Sequence, residues 1–308
     1  MQAIMYHYVR ELDPKLPNFR YLDIKNFRKQ LSFFKKNYGF VEKDEWLEFI
    51  EFGKLPKNKN KILLTFDDAM SCHYDYVFPE LISSNLWGTF YVPTYPYSEK
   101  KVLDVHRIHL LCGSYDGRDL LSLVSKIITD EMVPDKKKLS FKNETYTTQE
   151  NYEGISEFKR ILNYYISYEY RSDVIDSIIS ELDFNIQCDD FYVPLDSLED
   201  MKKNGMIIGS HSSTHPLMSK LDFDQQKEEI TNSMNVLNDL LDSRFKTYCH
   251  PYGGKHSFNE DTINILEELG FAYSFMVEPR HINQDDFEKS RFALPRYDCN
   301  MFNHGKAS

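Results

Sequence analysis

The stretch Lys61-Ile62-Leu63-Leu64-Thr65-Phe66-Asp67-Asp68 limits what this chain can fold into more than any other. An apolar run of this length reads as a buried strand. Its two adjacent carboxylates then stand at the strand end, on the rim of a sheet or barrel. Like charges side by side repel and are costly to desolvate unless a cation lies between them. A solvated turn is the competing reading, because Asp is common in turns. A second stretch, Met206-Ile207-Ile208-Gly209-Ser210-His211-Ser212-Ser213-Thr214-His215, favours the cation. It is again a short apolar strand, and it runs into two histidines four apart. On one helical turn that spacing points both imidazoles the same way. One carboxylate and two imidazoles make a three-ligand divalent site with open positions, the pattern of a catalytic metal.

The rest of the chain alternates strands and helices. Residues 2–8 read as a strand that ends at His7. Asp23 caps a helix with an apolar face of Phe27, Leu31 and Phe34, and Gly39 stops it. Residues 76–86 read as a helix and 88–92 as the next strand. Strand, helix and strand with short connections form a βαβ unit of a parallel sheet. Residues 98–190 break the rhythm with helical segments over 106–128, 155–166 and 172–182, around a polar stretch at 136–151. They read as a helical insertion within a single domain of residues 1–308, a candidate cap or oligomer contact. His106 and His109 share a helical face in it and are candidate substrate contacts, with a solvated helix as the alternative. From Asp196 the alternation resumes. Asp196–Glu199 and Asp222–Gln225 each fit a capping box. The strand at Tyr248, residues 271–275 and a segment before Arg296 supply the last strands. The pattern alone gives a parallel α/β fold with its chemistry at strand C-terminal ends.

Composition narrows the function classes. The 308 residues can bury a sizeable core. A net charge of −11 argues against a nucleic-acid binder, which needs a basic face. Cys72, Cys112, Cys188, Cys249 and Cys299 are scattered and odd in number, and none forms a C-x-x-C pair. They read as reduced thiols in a cytosol. No basic-then-apolar leader opens the sequence, and no apolar run is long enough to span a bilayer. The expectation is a cytoplasmic protein without a transmembrane segment.

Thr65-Phe66-Asp67-Asp68 and His211-Ser212-Ser213-Thr214-His215 resemble the T-F-D-D-G and H-[ST]-x-x-H motifs of the polysaccharide deacetylase family, the NodB-like carbohydrate esterases. Tyr248-Cys249-His250-Pro251-Tyr252-Gly253 resembles the family's third motif, an apolar strand ending in Pro-Tyr-Gly. The three stand in the family's order, and the likeness covers residues 1–95 and 190–300. It implies a distorted (β/α)7-type barrel and a carbohydrate N-deacetylase. Asp68, His211 and His215 would be metal ligands. Zinc is the default for such a set, and Co, Ni, Mn and Fe suit the same donors. Asp67 would be the base toward metal-bound water, and the Tyr252 backbone N–H an oxyanion donor. His250 is carried as a substrate contact, and the abundant Tyr and Phe include candidate platforms for sugar rings.

The departures from the family pattern carry their own expectations. Ala69 replaces the motif's glycine, which Ala tolerates unless φ is positive. Many members carry an arginine ahead of the Pro-Tyr that orders the catalytic Asp. Here Cys249 and His250 occupy that region, and Arg296 is the candidate cation from the last strand. The family's C-terminal L-x-H acid is missing. Some members instead open on a Met-Tyr-His strand, which makes His7 the candidate acid toward the leaving amine. Inside a cell the substrate would be an N-acylated sugar, nucleotide sugar or glycan precursor, by analogy in surface-glycan biosynthesis. The same machinery suits a formyl amide or an O-acetyl ester. A carbohydrate-binding pseudo-enzyme would have lost one of Asp67, Asp68, His211 or His215, and all four are present.

Overall fold

The computed structural model describes residues 1–134, 145–146, 151–186, 188 and 191–307. The polar stretch at 136–151 lies outside them, apart from residues 145, 146 and 151. Two compact units emerge. The first comprises Met1–Glu11, Tyr21–Lys101 and Cys188–Ser308, and the second Leu12–Arg20 and Val102–Gln187.

The first unit is built on strands β1 (Gln2–Tyr6), β4 (Ile62–Asp67), β5 (Thr89–Val92), β6 (Ile207–Ser210), β7 (Thr247–Cys249), β8 (Tyr273–Phe275) and β9 (Arg296–Asp298). They form one sheet in the order β8-β7-β6-β5-β4-β1-β9, and every pair is parallel. The short strands β2 (Val9–Arg10) and β3 (Leu22–Asp23) pair separately. The two edges of the large sheet meet through Leu294. It bridges Phe275 of β8, donating to Ser274 O and accepting from Met276 N at 2.9 Å each. Two residues later the chain enters β9 and pairs with β1, Arg296 opposite Ala3. The sheet is therefore the curled (β/α)7-type barrel expected from the motifs, with first and last strands as neighbours.

Alternation sorts the strand side chains into two packed layers. Ile4, Tyr6, Ile62, Leu64, Phe66, Phe90 and Val92 pack outward with Phe27, Leu31 and Phe34 of the helix Ile24–Asn37. Ala3, Leu63, Tyr91, Cys249, Tyr273 and Phe275 pack with Trp46. Both faces are covered, so β4 is buried along its whole length, as a parallel strand should be. Trp46 lies on the helix Lys43–Phe52, which the sequence reading left unmarked. Its indole stacks on Phe275 at 5.7 Å and donates to the Tyr273 hydroxyl at 3.1 Å. It fills the interior layer from one side.

The expected helix signals hold in part. Asp23 caps Ile24–Asn37 by accepting from Lys25 N, and Gly39 follows at φ 72°. The Asp222–Gln225 capping box forms. The Asp196–Glu199 box does not, because that helix starts at Leu195 and the Pro194 carbonyl takes the Ser197 and Leu198 N–H groups. The helix expected over 76–86 opens as a π-turn at His73–Val77 before Phe78–Ser83. In the second unit the run expected over 106–128 divides at Asp116, which caps Gly117–Ile127 behind Asp104–Ser114. Further helices there are Ile155–Arg160 and Tyr168–Glu181.

Trp46 is fully buried. Trp46→Ala should therefore cost about 3–5 kcal/mol in a urea melt. A loss under about 1 kcal/mol would show that the interior layer closes without the indole.

Candidate active site

Asp67 is the last residue of β4, and the chain turns at once into left-handed backbone, Asp68 at φ 79° and Ala69 at φ 49°. Ala69 thus stands where a glycine would be relaxed, at a cost of roughly 1 kcal/mol. The turn is clamped from outside: Val193 N donates to Ala69 O at 2.8 Å, and Ser71 N to Phe191 O at 2.9 Å. It carries Asp68 toward the other strand ends. The Nε2 atoms of His211 and His215 each lie 3.5 Å from Asp68 Oδ1. One ligand atom from each of the three lies within 4.8 Å of the others, and all three residues are buried. Asp68, His211 and His215 are brought together as the motifs implied.

The two histidines do not share a helical turn. Ser212 at φ 61° and His215 at φ 58° fold residues 211–215 back on themselves, and this loop brings the ring centroids to 4.7 Å. The donor chemistry fits a divalent metal. His211 Nδ1 donates to the Cys249 carbonyl at 2.7 Å, which leaves the Nε2 lone pair facing Asp68. Burial, against the pull of Asp67 and Asp68, lowers the His211 proton affinity and favours the neutral imidazole that ligates. A carboxylate and two neutral imidazoles suit zinc and its first-row neighbours.

Behind this set lies a buried ion pair. Arg296 clasps Asp67 with both ends, Nη1 to Oδ1 and Nη2 to Oδ2 at 2.7 Å each. Nη1 also donates to Thr65 Oγ1 at 3.0 Å, and Nη2 to the Cys249 sulfur at 2.9 Å. The guanidinium packs 5.6 Å from the Phe275 ring and 5.9 Å from that of Tyr91. Burial alone would push the Asp67 carboxyl up, but the charge and hydrogen bonds of Arg296 hold it below the usual carboxylate range. Arg296 therefore lies where the sequence reading wanted a cation. Asp67, His211 and Cys249 form a second close donor group. Arg296 already contacts both Asp67 and Cys249, so that group has its cation.

His7 follows β1 at the rim, its side chain 39% exposed and its Nε2 3.9 Å from Asp68 Oδ2. His73, buried in the π-turn, donates from Nε2 to the His7 carbonyl at 2.6 Å. Tyr252 sits at φ 62° with its ring 5.1 Å from that of His215. Gly253 follows at φ 71°, where a Cβ would come within 2.4 Å of Val277 Cγ2, so only glycine fits.

His250 is the clear departure. It has the parity of Tyr248 and points away from the Cys249 side. It is buried, stacks on Phe258 at 3.8 Å and donates from Nε2 to the Phe292 carbonyl at 2.8 Å. Instead of meeting substrate, it braces the chain before β9. His106 and His109 lie on Asp104–Ser114 of the second unit with rings 6.0 Å apart. His106 is fully buried, a packing position and not the solvated face that was the alternative. His73, and Glu229 beside the His211–His215 loop, are contacts that sequence reasoning missed. Neither falls in a motif, and neither has a local signal that could have found it.

The polysaccharide deacetylase family model matches residues 176–274. No curated protein matches the chain. Among solved structures, it is similar to the Streptococcus pyogenes deacetylase PplD at 16% identity and TM-score 0.58, covering 97% of this chain and 91% of that one. It is also similar to the BpsB deacetylase domain from Bordetella bronchiseptica, at 14% identity and TM-score 0.53 over 96% and 94% of the two chains. IcaB from Ammonifex degensii matches at 14% identity and TM-score 0.52, over 96% and 89%. At these identities the likeness is one of fold.

Burial lowers the His250 pKa to about 3 from an ordinary 6.5, so the folded chain keeps this ring neutral while the unfolded chain protonates it. Its contribution to stability is complete above pH 6.5 and falls as pH drops toward 3. The slope is up to about 1.4 kcal/mol per pH unit. His250→Gln should flatten the acid limb of a plot of chemical-denaturation stability against pH. An unchanged limb would place the titrating group elsewhere.

Proposed function

We propose that this chain, which matches the polysaccharide deacetylase family model over residues 176–274 and shares the fold of such enzymes, is a metal-dependent carbohydrate N-deacetylase. It would hydrolyse an N-acetyl group on a sugar, nucleotide sugar or glycan precursor. The observation that carries the reading is the convergence of Asp68, His211 and His215 within 4.8 Å, beside the Asp67–Arg296 pair.

Asp68, His211 and His215 would hold a divalent cation, zinc by donor type. When bound it supplies Lewis acidity to the acyl carbonyl and acidity to a water. Asp67 stays ionised because Arg296 opposes it, and it accepts the proton of the attacking water. With Arg296 damping its basicity, its task is as much to orient that water as to deprotonate it. The Tyr252 backbone N–H donates to the acyl oxygen as negative charge builds there. His7, half-exposed at the rim, protonates the amine as the C–N bond breaks. The Tyr252 ring, beside that of His215, would be a platform for a sugar ring. The cytoplasmic setting rests on the scattered cysteines. No helix among the described residues is long and apolar enough to cross a membrane.

The test is elemental analysis of wild type, His211→Ala and Asp67→Asn, with acetate release from N-acetylated sugars measured alongside. Wild type should carry about one divalent metal per chain. His211→Ala should lose it, and Asp67→Asn should keep it and lose turnover. Metal lost with Asp67→Asn would exchange the roles of the two aspartates. No metal in wild type, even after reconstitution with zinc, cobalt or nickel, would sink the hydrolase reading. His7→Ala should lower kcat by about 10²–10⁴-fold. A rate equal to wild type would remove His7 from the mechanism.

A further inference from the structure

The loop that presents the two histidines is held from a helix outside every motif. Phe223–Val236 runs beside β6 with Gln226, Ile230 and Ser233 buried. Two side chains one turn apart on it grip the loop at two points. The Ser233 hydroxyl meets that of Ser210, immediately before His211, at 2.7 Å. The Glu229 carboxylate accepts from Ser213 N at 3.0 Å, Thr214 N at 2.8 Å and Thr214 Oγ1 at 2.6 Å. Ser213 and Thr214 are the two residues between Ser212 and His215, both of which sit at positive φ. The left-handed turns that bring the imidazoles together are thus tied down by one carboxylate at the residues between them. A second internal tie, His215 N to Ser212 Oγ at 3.1 Å, closes the loop without reaching the helix.

We infer that Glu229 is a positioning residue for the ligand pair. By fixing residues 213 and 214 it sets the approach of His215 to Asp68 and so the affinity and geometry of the cation site. The inference rests on the metal reading above and adds to it a determinant that touches neither cation nor substrate. A carboxylate is suited to the place. Two of its donors are backbone N–H groups that converge on one oxygen, and charge-assisted bonds of this kind are about twice as strong as neutral ones.

The experiment measures zinc affinity by competition against a chromophoric chelator, and the visible absorption of the cobalt-substituted protein. It uses the full chain of wild type, Glu229→Ala, Glu229→Gln and Glu228→Ala. Glu228, an exposed neighbour on the same helix, is the control and should match wild type. Glu229→Ala should bind zinc about 10–100-fold more weakly, with an altered cobalt spectrum. Glu229→Gln keeps an amide oxygen for the two N–H groups and should recover most of the affinity and the wild-type spectrum. A merely structural Glu229 would lower thermal stability yet leave the folded variant's zinc affinity and cobalt spectrum unchanged, and that result overturns the inference. If Glu229→Ala does not fold, Thr214→Val, at an exposed residue, removes the 2.6 Å contact alone. Its affinity should fall in the same direction, and an unchanged value overturns the inference. Wild type that binds no zinc overturns this inference and the metal reading together. Wild type that binds zinc as Glu229→Ala does overturns this inference alone.

Discussion

A guanidinium inside a barrel is the constraint on which the rest depends. Arg296 is fully buried, and an unpaired charge at such depth would cost several kcal/mol. It is tolerable because Asp67 meets it with both oxygens, while Thr65 Oγ1 and the Cys249 sulfur accept from the same two nitrogens. The members come from three stages of the chain: Thr65 and Asp67 from β4, Cys249 from β7, Arg296 from β9. The pair therefore fixes the interior ends of three strands relative to one another. It also separates the surroundings of the two adjacent carboxylates. Asp67 is committed to Arg296, and its neighbour Asp68, in left-handed backbone, faces the imidazoles. Two adjacent and identical residue types acquire different surroundings from one backbone reversal.

The local parts of this arrangement were legible in the sequence. Short continuous apolar runs ending in carboxylates and histidines located β4 and β6, and the Asp23 and Asp222 caps placed their helices. Arg296 was found because the family pattern calls for a cation beside the first Asp and the usual position holds Cys249 and His250, and the Ala3–Arg296 pairing sets it on the strand next to β1. What escaped was either backbone handedness or distant partnership. Histidines four apart suggest a helical turn, and nothing in Ser212 or His215 announces positive φ. His250 looked like part of a motif, yet side-chain parity decides whether a residue after a strand faces the site, and the residue is buried against Phe258 and Phe292. Trp46, His73 and Glu229 each reach the barrel or its rim from helical segments between the motifs, where no spacing marks them.

Several of the positive-φ residues cluster where the chemistry is proposed: Asp68, Ala69, Ser212, His215 and Tyr252. Each is uncommon for a residue with a Cβ. Together they show a rim in which short reversals, more than side-chain length, aim the functional groups. Such turns persist when the surroundings over-determine them. Here β5 contributes as well, because Thr94 N and Tyr95 N just beyond it donate to the Ser212 and Ser213 carbonyls.

The closure through Leu294 also bears on how the molecule comes into being. The charge partner of Asp67 lies 229 residues away along the chain, on the strand that completes the ring. Contacts of such separation form late and slowly, because the intervening chain must be ordered before they return any free energy. Until β9 docks against β1, the Asp67 carboxylate lacks the Arg296 cation. Assembly of the ring and neutralisation of its inner charge are then one event. A chain stalled before that event would still carry its acidic turn and its histidine loop on neighbouring strands, β4-β5-β6, with Asp67 uncompensated between them.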